Sequence, residues 1–321
     1  MSAEHAAAAR RPALSPSRAS DFKQCPLLYR FRAIDRLPEP RSTAQLRGSL
    51  VHAALEQLYG LPAAQRDHDT ALTLIESAWD RVVAAEPELA EATHPALFDE
   101  ARALLSGYYR LEDPTRFDPQ SCEYRLEVEL ADGTRLRGFV DRIDVAPTGE
   151  MRVVDYKTGK APPEARSLAE FKAMFQMKFY AVALLRSRGV LPARLRLLYL
   201  ADGQVLDYSP DEDELLRFER TLMAIWRAIE SAGATGDFQP NPSKLCNWCA
   251  HQSRCPAYGG TPPPYRTCPP RRNRPHDRLS LPPNRIKRRV PTVRIHRRHP
   301  QQLGSRDTTR FATTGVAHQG N

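Results

Sequence analysis

The chain has 321 residues, enough for one large domain or two small ones around a sizeable core. An apolar share of 41% with 26% charged residues excludes wholesale disorder, six cysteines are too few for a disulfide-stapled mini-protein, and no apolar run approaches a membrane span. The net charge of +9 suggests a nucleic-acid partner, but residues 259–321 alone carry +12 and the rest of the chain −3, so the global charge says nothing about the folded part.

The N-terminus lacks the apolar centre of a signal peptide, which sets the expectation of a soluble, cytoplasmic protein with residues 1–13 disordered. Ser20-Asp21 before Phe22 reads as a helix N-cap. Leu46 to Tyr59 repeats apolar residues at a helical period, and Thr70 to Ala85 and His94 to Leu111 read as two further amphipathic helices. The period then changes to two: Tyr124, Leu126, Val128 and Leu130 alternate with polar residues up to the hairpin signal Asp132-Gly133. Leu136 to Val145 and Met151 to Tyr156, joined by Pro147-Thr148-Gly149, complete an antiparallel three-stranded meander. Leu168 to Arg188 is helical again, Arg194 to Leu200 is a fourth strand closed by Asp202-Gly203, and Pro210 to Ser231 is a last long helix. The order α-βββ-α-β predicts a mixed α/β core with helices covering a small sheet. Residues 259–321 hold 10 of the 28 prolines and are read as a disordered basic tail: an arm for phosphates, a dispensable extension, or an out-of-frame reading of the gene's end.

Chemistry concentrates in Gly138-Phe139-Val140-Asp141-Arg142-Ile143-Asp144 and Val153-Val154-Asp155-Tyr156-Lys157-Thr158-Gly159. On a strand Asp155 and Lys157 share one face and Tyr156 points to the other, while Asp141 on the preceding strand can reach the same face. Two carboxylates beside a lysine can hold Mg²⁺ or Mn²⁺, with the lysine orienting a water for attack on phosphorus. The competing reading is a salt bridge at a sheet edge, but the two charges interrupt the apolar end of a strand, where charge is costly unless used. Thr158-Gly159-Lys160 lacks the glycine and the Ser/Thr of a nucleotide-binding P-loop, so any motor must come from a partner.

These two stretches, taken with three others in the same order, resemble the PD-(D/E)XK nuclease superfamily in its RecB-like exonuclease branch. The others are Leu14-Ser15-Pro16-Ser17 with Cys25-Pro26-Leu27-Leu28-Tyr29, Gly48-Ser49-Leu50-Val51-His52, and Gln176-Met177-Lys178-Phe179-Tyr180. The resemblance implies a restriction-endonuclease-like core over residues 14–258 with a helical insertion at 65–115. It implies that Asp141 and Asp155 are catalytic and hold Mg²⁺ or Mn²⁺ together with His52, that Lys157 is catalytic, and that Gln176 and Tyr180 contact DNA near the scissile phosphate. Lys172 falls on the same helix face as Gln176 and Tyr180. Glu127 is a candidate for an additional metal-site carboxylate, with Glu123 and Glu129 on its face as rivals.

Cys246-Asn247-Trp248-Cys249 and Cys255, with Cys25 far upstream, offer four thiolates, and spacing alone does not choose between zinc and iron–sulfur. The resemblance to iron–sulfur nucleases of AddB and CRISPR-associated type implies a [4Fe–4S] cluster in a clasp at 240–258, with Zn²⁺ the lesser alternative. Disulfides are less favoured in a reducing compartment, and His251 is a minor candidate ligand. Cys122 is expected to be a plain core or edge residue and Cys268 a spare thiol.

The expected activity is metal-dependent hydrolysis of DNA phosphodiester bonds, on single-stranded ends and in repair or recombination, with a helicase or repair partner and no membrane. A non-catalytic nucleic-acid-binding subunit that keeps the fold is the alternative.

Overall fold

The computed structural model describes residues 12–92, 95–162 and 168–265, the side chains of 92 and 168–172 excepted. The first helix, α1 (Pro16–Gln24), starts four residues earlier than the Ser20-Asp21 signal: Ser15 is its cap, accepting from the Arg18 amide at 3.2 Å, and Pro16 opens the first turn. Asp21 lies inside the helix and pairs with Arg32 at 2.7 Å. A short α2 (Pro26–Tyr29) follows and runs into a π-turn at Arg30–Ile34. The next three helices are α3 (Thr43–Tyr59), closed at its start by a Ser42/Gln45 capping box, α4 (His68–Ala85), capped by Asp67, and α5 (Pro95–Tyr109).

The meander follows as β1 (Ser121–Glu129), β2 (Arg135–Val145) and β3 (Met151–Lys157). After α6 (Leu168–Arg188) come β4 (Arg194–Tyr199), β5 (Gln204–Tyr208) and α7 (Glu212–Thr235). The sheet order is β1-β2-β3-β4-β5, with β3 and β4 parallel and the other neighbours antiparallel. The fifth strand is absent from the sequence expectation. It is a short, mostly exposed edge strand without apolar alternation, and Asp202-Gly203, read as the end of β4, is the turn of a β4–β5 hairpin.

Each face of the sheet carries its own core. Met151, Val153, Leu195 and Leu197 pack with α1, α2, α6 and α7 on one side. Val154, Tyr156, Leu198 and Leu200 pack with α3, α4 and α5 on the other. The alternation of Val153, Val154, Asp155 and Tyr156 thus aims a strand buried on both sides, and Asp155 comes to lie against α6. Past residue 258, Tyr265 still packs on the body: its ring lies 5.6 Å from Phe238 and its hydroxyl donates to the Gly233 carbonyl at 2.7 Å. The packed body therefore continues beyond residue 258, the boundary expected from composition.

The helical layer is fastened to the sheet by a buried ion cluster. The Arg142 guanidinium is fully buried and reaches Glu112 at 2.8 Å, Asp144 at 2.9 Å, and the hydroxyls of Tyr59 and Tyr156 at 2.9 and 3.0 Å. Burial alone would raise the Glu112 carboxyl, but Arg142, assisted by Arg152 and Arg196, outweighs it and holds the group below its ordinary value. A carboxyl held low adds stability above the free glutamate pKa of about 4.3, and that contribution is lost as pH falls through the folded-state value. Acid is therefore expected to destabilise the wild-type protein more steeply than Glu112→Gln in urea unfolding below about pH 5; parallel profiles would contradict the assignment.

Candidate functional site

Strands β2 and β3 pair from Val145↔Met151 to Arg142↔Val154 and then part company. Beyond that point the N-terminal half of β2 pairs with β1, and the C-terminal half of β3 pairs with β4. Where the ladder ends, the Asp141 carboxylate takes over: its Oδ2 accepts the Tyr156 amide at 2.8 Å. The parting strands open a cleft of about 750 Å³ whose lining includes Gly138, Phe139, Lys157, Thr158, Gln176 and Tyr180.

Asp155 is buried at the floor of this region, 1% exposed, so its charge must be compensated. Lys157 lies two residues on, with Nζ 2.6 Å from Asp155 Oδ2, and also donates to Gln176 Oε1 at 3.0 Å. The Gln176 amide donates to Asp155 Oδ1 at 2.9 Å and contacts the Tyr180 hydroxyl at 3.0 Å. One helical turn separates Gln176 from Tyr180, which lets both reach the same carboxylate region. Tyr180 fits because residue 138 is glycine: a Cβ there would stand 2.8 Å from the ring. Gln176 therefore braces Asp155 and Lys157, Tyr180 holds Gln176, and both α6 side chains line the cleft. The Lys172 side chain lies outside the described residues.

His52, on α3, completes the approach from the opposite layer. Its Nε2 faces the Tyr156 carbonyl oxygen at 3.0 Å and its Nδ1 faces Asp141 Oδ2 at 3.4 Å. A carbonyl can only accept, so Nε2 donates; the protonated ring also presents its Nδ1 proton to Asp141, and a metal bound there would take the place of that proton, as in metal-ligating histidines. Burial disfavours the imidazolium, yet Asp141 outweighs it and holds His52 at about 9.

The third member of this group is Glu123. Ligand atoms of His52, Glu123 and Asp141 lie within 4.8 Å of one another, the one such set of three or more His, Cys, Asp or Glu among the described residues. Glu127, the carboxylate favoured from sequence, is exposed and paired with Arg125 and Arg135 at 3.0 and 2.5 Å, and Glu129 is exposed. The reason is local backbone geometry. Glu123 has φ +45°, a conformation rare outside glycine, and it breaks the pleat: Tyr124 and Leu126 pack on one core while Cys122 packs on the other. The break re-aims Glu123 toward Asp141, and burial, with that neighbouring charge, pushes its carboxyl up to about 7.

Electrostatically the site is over-supplied with negative charge. Burial first, and then Asp141, raise Asp155 against the pull of Lys157. Asp141 itself is held low despite burial, by His52, the Tyr156 amide and Lys157. Oxygen-rich donors with one imidazole, two of whose carboxyls are pushed up by burial and by the neighbouring Asp141 charge, fit a hard divalent cation such as Mg²⁺ or Mn²⁺.

The four candidate cluster cysteines converge at the other end of the chain path. Cys25, Cys246, Cys249 and Cys255 all line one cavity of about 40 Å³, and each is a free thiol. The Asn241 amide points at the Cys25 sulfur at 3.4 Å and the Ser243 amide at the Cys246 sulfur at 3.3 Å. His251 is not a fourth donor here: its Nε2 is 2.6 Å from Glu39 Oε1, and its ring packs edge-on against Phe31. Cys122 is half-buried on β1, its thiol pushed up to about 12 chiefly by burial. Cys268 lies outside the described residues.

The chain belongs to the PD-(D/E)XK nuclease superfamily, whose family model matches residues 13–256. Among curated proteins, the gene 69 protein of Mycobacterium phage L5 is 30% identical over 141 residues, which is 43% of this chain and 45% of that protein. The gene 69 protein of Mycobacterium phage D29 is 24% identical over 276 residues, covering 77% of this chain and 97% of its own length. The chain thus spans less than half of the L5 relative and nearly all of the D29 one. A Eubacterium rectale protein assigned as an exonuclease has a crystal structure that matches at a TM-score of 0.52 and 16% identity, over 74% of this chain and 87% of that one. At that identity the likeness supports the fold alone. Among the described residues, no helix is long and apolar enough to cross a membrane.

Proposed function

We propose that this protein is a metal-dependent nuclease that hydrolyses DNA phosphodiester bonds, acting on single-stranded ends in the manner of the RecB-like branch, with its motor or repair context supplied by a partner. The observation that carries the proposal is the convergence of His52, Glu123 and Asp141 within ligand distance beside the buried Asp155–Lys157 pair. His52, Asp141 and Asp155 would hold Mg²⁺ or Mn²⁺, with Glu123 as a further donor. Bound there, the ion supplies a Lewis acid for the phosphoryl oxygen and a water of lowered pKa. Lys157 orients the attacking water and offers positive charge to the developing phosphorane oxygens. Gln176 fixes the lysine and the aspartate, and with Tyr180 it presents hydrogen-bonding groups to the incoming strand. The test is cleavage of end-labelled single-stranded DNA, duplex DNA and RNA by purified protein. Turnover with Mg²⁺ or Mn²⁺ that EDTA abolishes is expected. DNA affinity without turnover under either metal would favour the non-catalytic subunit instead.

The same reading assigns Cys25, Cys246, Cys249 and Cys255 to a [4Fe–4S] cluster in the clasp at 240–258. In support, the four thiols line one cavity, and the Asn241 and Ser243 amides point at the Cys25 and Cys246 sulfurs, as N–H groups do at cluster thiolates. Anaerobically purified protein is expected to be brown, with about four irons per chain, and to lose colour and thermal stability in Cys249→Ser; a colourless protein with one zinc per chain would contradict it.

A further inference from the structure

Phe139 occupies an unusual place on β2. Its sequence neighbours Gly138 and Val140 are buried, whereas its ring is 51% exposed and lines the cleft between the parting strands. It stands two residues before Asp141, about 6.7 Å along the strand, which is the reach of one extended nucleotide. Lys157 and Lys160 lie in the same cleft lining, and Arg125 is the cross-strand partner of Phe139. An aromatic face open to water, in a cleft that also holds Lys160 and one step from an acidic group, is the arrangement that single-stranded nucleic acid recognises: the ring takes a base face and a cation of the cleft takes a phosphate. Paired bases in a duplex bury their faces against each other and cannot use such a platform.

We infer that Phe139 is a stacking platform for the unpaired base next to the phosphate that enters the metal site, and that it sets a preference for single strands. The inference rests on the nuclease reading and adds a residue and a physical cause for the choice of substrate. Stacking on an aromatic ring is sequence-tolerant, so the preference is for an unpaired base of any identity.

The experiment is fluorescence anisotropy in Ca²⁺ buffer with a labelled single-stranded DNA 12-mer and the corresponding duplex, on wild-type protein, Phe139→Ala, Phe139→Leu and Phe139→Trp. Phe139→Ala is expected to weaken single-strand binding about ten-fold or more and duplex binding by less than about two-fold. Phe139→Trp is expected to restore it and Phe139→Leu, which keeps apolar bulk without a π-face, is not. In steady-state cleavage with Mg²⁺ the loss falls on KM rather than kcat. A 2-aminopurine base walked along the 12-mer is expected to be quenched at one position by wild-type protein and not by Phe139→Ala. Equal affinities for wild type and Phe139→Ala, or full rescue by leucine, would overturn the stacking role while cleavage by the wild-type protein leaves the nuclease reading standing. Wild-type protein that neither binds nor cleaves DNA would overturn both.

Discussion

Asp155→Ala and Lys157→Ala are each expected to lower kcat/KM for DNA cleavage on the order of a thousand-fold or more, while circular dichroism shows the folded chain. The size follows from how the pair is held. Asp155 is buried against α6, Lys157 is locked to it at 2.6 Å, and the Gln176 amide contacts both. Removing the aspartate deletes a proposed metal donor and frees the lysine from its geometry; removing the lysine leaves a buried carboxylate that already resists ionisation. Neither change opens a cavity in the two cores. Gln176→Ala, which removes only the brace, is expected to fall between these variants and wild type. Cleavage retained in both Asp155→Ala and Lys157→Ala would remove this group from the chemistry.

The largest effect on stability is expected from Arg142→Met. That change takes the buried cation from Glu112 and Asp144, leaving them only the half-exposed Arg152 and Arg196, and removes the Arg142 donor from the Tyr59 and Tyr156 hydroxyls. Breaking a buried ion pair from one side costs about 3–5 kcal/mol, read as a lower urea midpoint with an unchanged slope. Activity is expected to fall with it, because Arg142 follows Asp141 on β2 and anchors the Tyr156 hydroxyl, while the Tyr156 amide and carbonyl hold Asp141 and His52. An unfolding free energy within about 0.5 kcal/mol of wild type would show that the ion cluster does not fasten the helical layer to the sheet.

Much of the site was legible because strand and helix periods translate directly into faces. The two-residue step from Asp155 to Lys157 and the four-residue step from Gln176 to Tyr180 bring side chains together whatever the tertiary detail. Glu123 was harder, since parity arguments assume an unbroken pleat and its positive φ breaks it. The sequence carries no local sign of the break, because Cys122 continues the Tyr124–Leu126–Val128 parity and only the fold places it on the other face. Ser15-Pro16 carried the true start of α1 through proline's fixed φ, a cue outweighed by Ser20-Asp21. Edge strand β5 has too few apolar residues for any period to register, and it became a strand through pairing with β4. Arg142 shows the opposite limit: nothing local says that an arginine in a hairpin will be wholly buried, because its partners Tyr59, Tyr108 and Glu112 arrive from distant helices.

The proposed chemistry requires one divalent ion at this site. Crystals grown with Mn²⁺ and measured at the manganese absorption edge are expected to show an anomalous peak bounded by His52, Glu123, Asp141 and Asp155, about 2.0–2.3 Å from their ligand atoms. An empty cluster at saturating Mn²⁺, or a peak held by other residues with Asp141 and Asp155 turned apart, would contradict it.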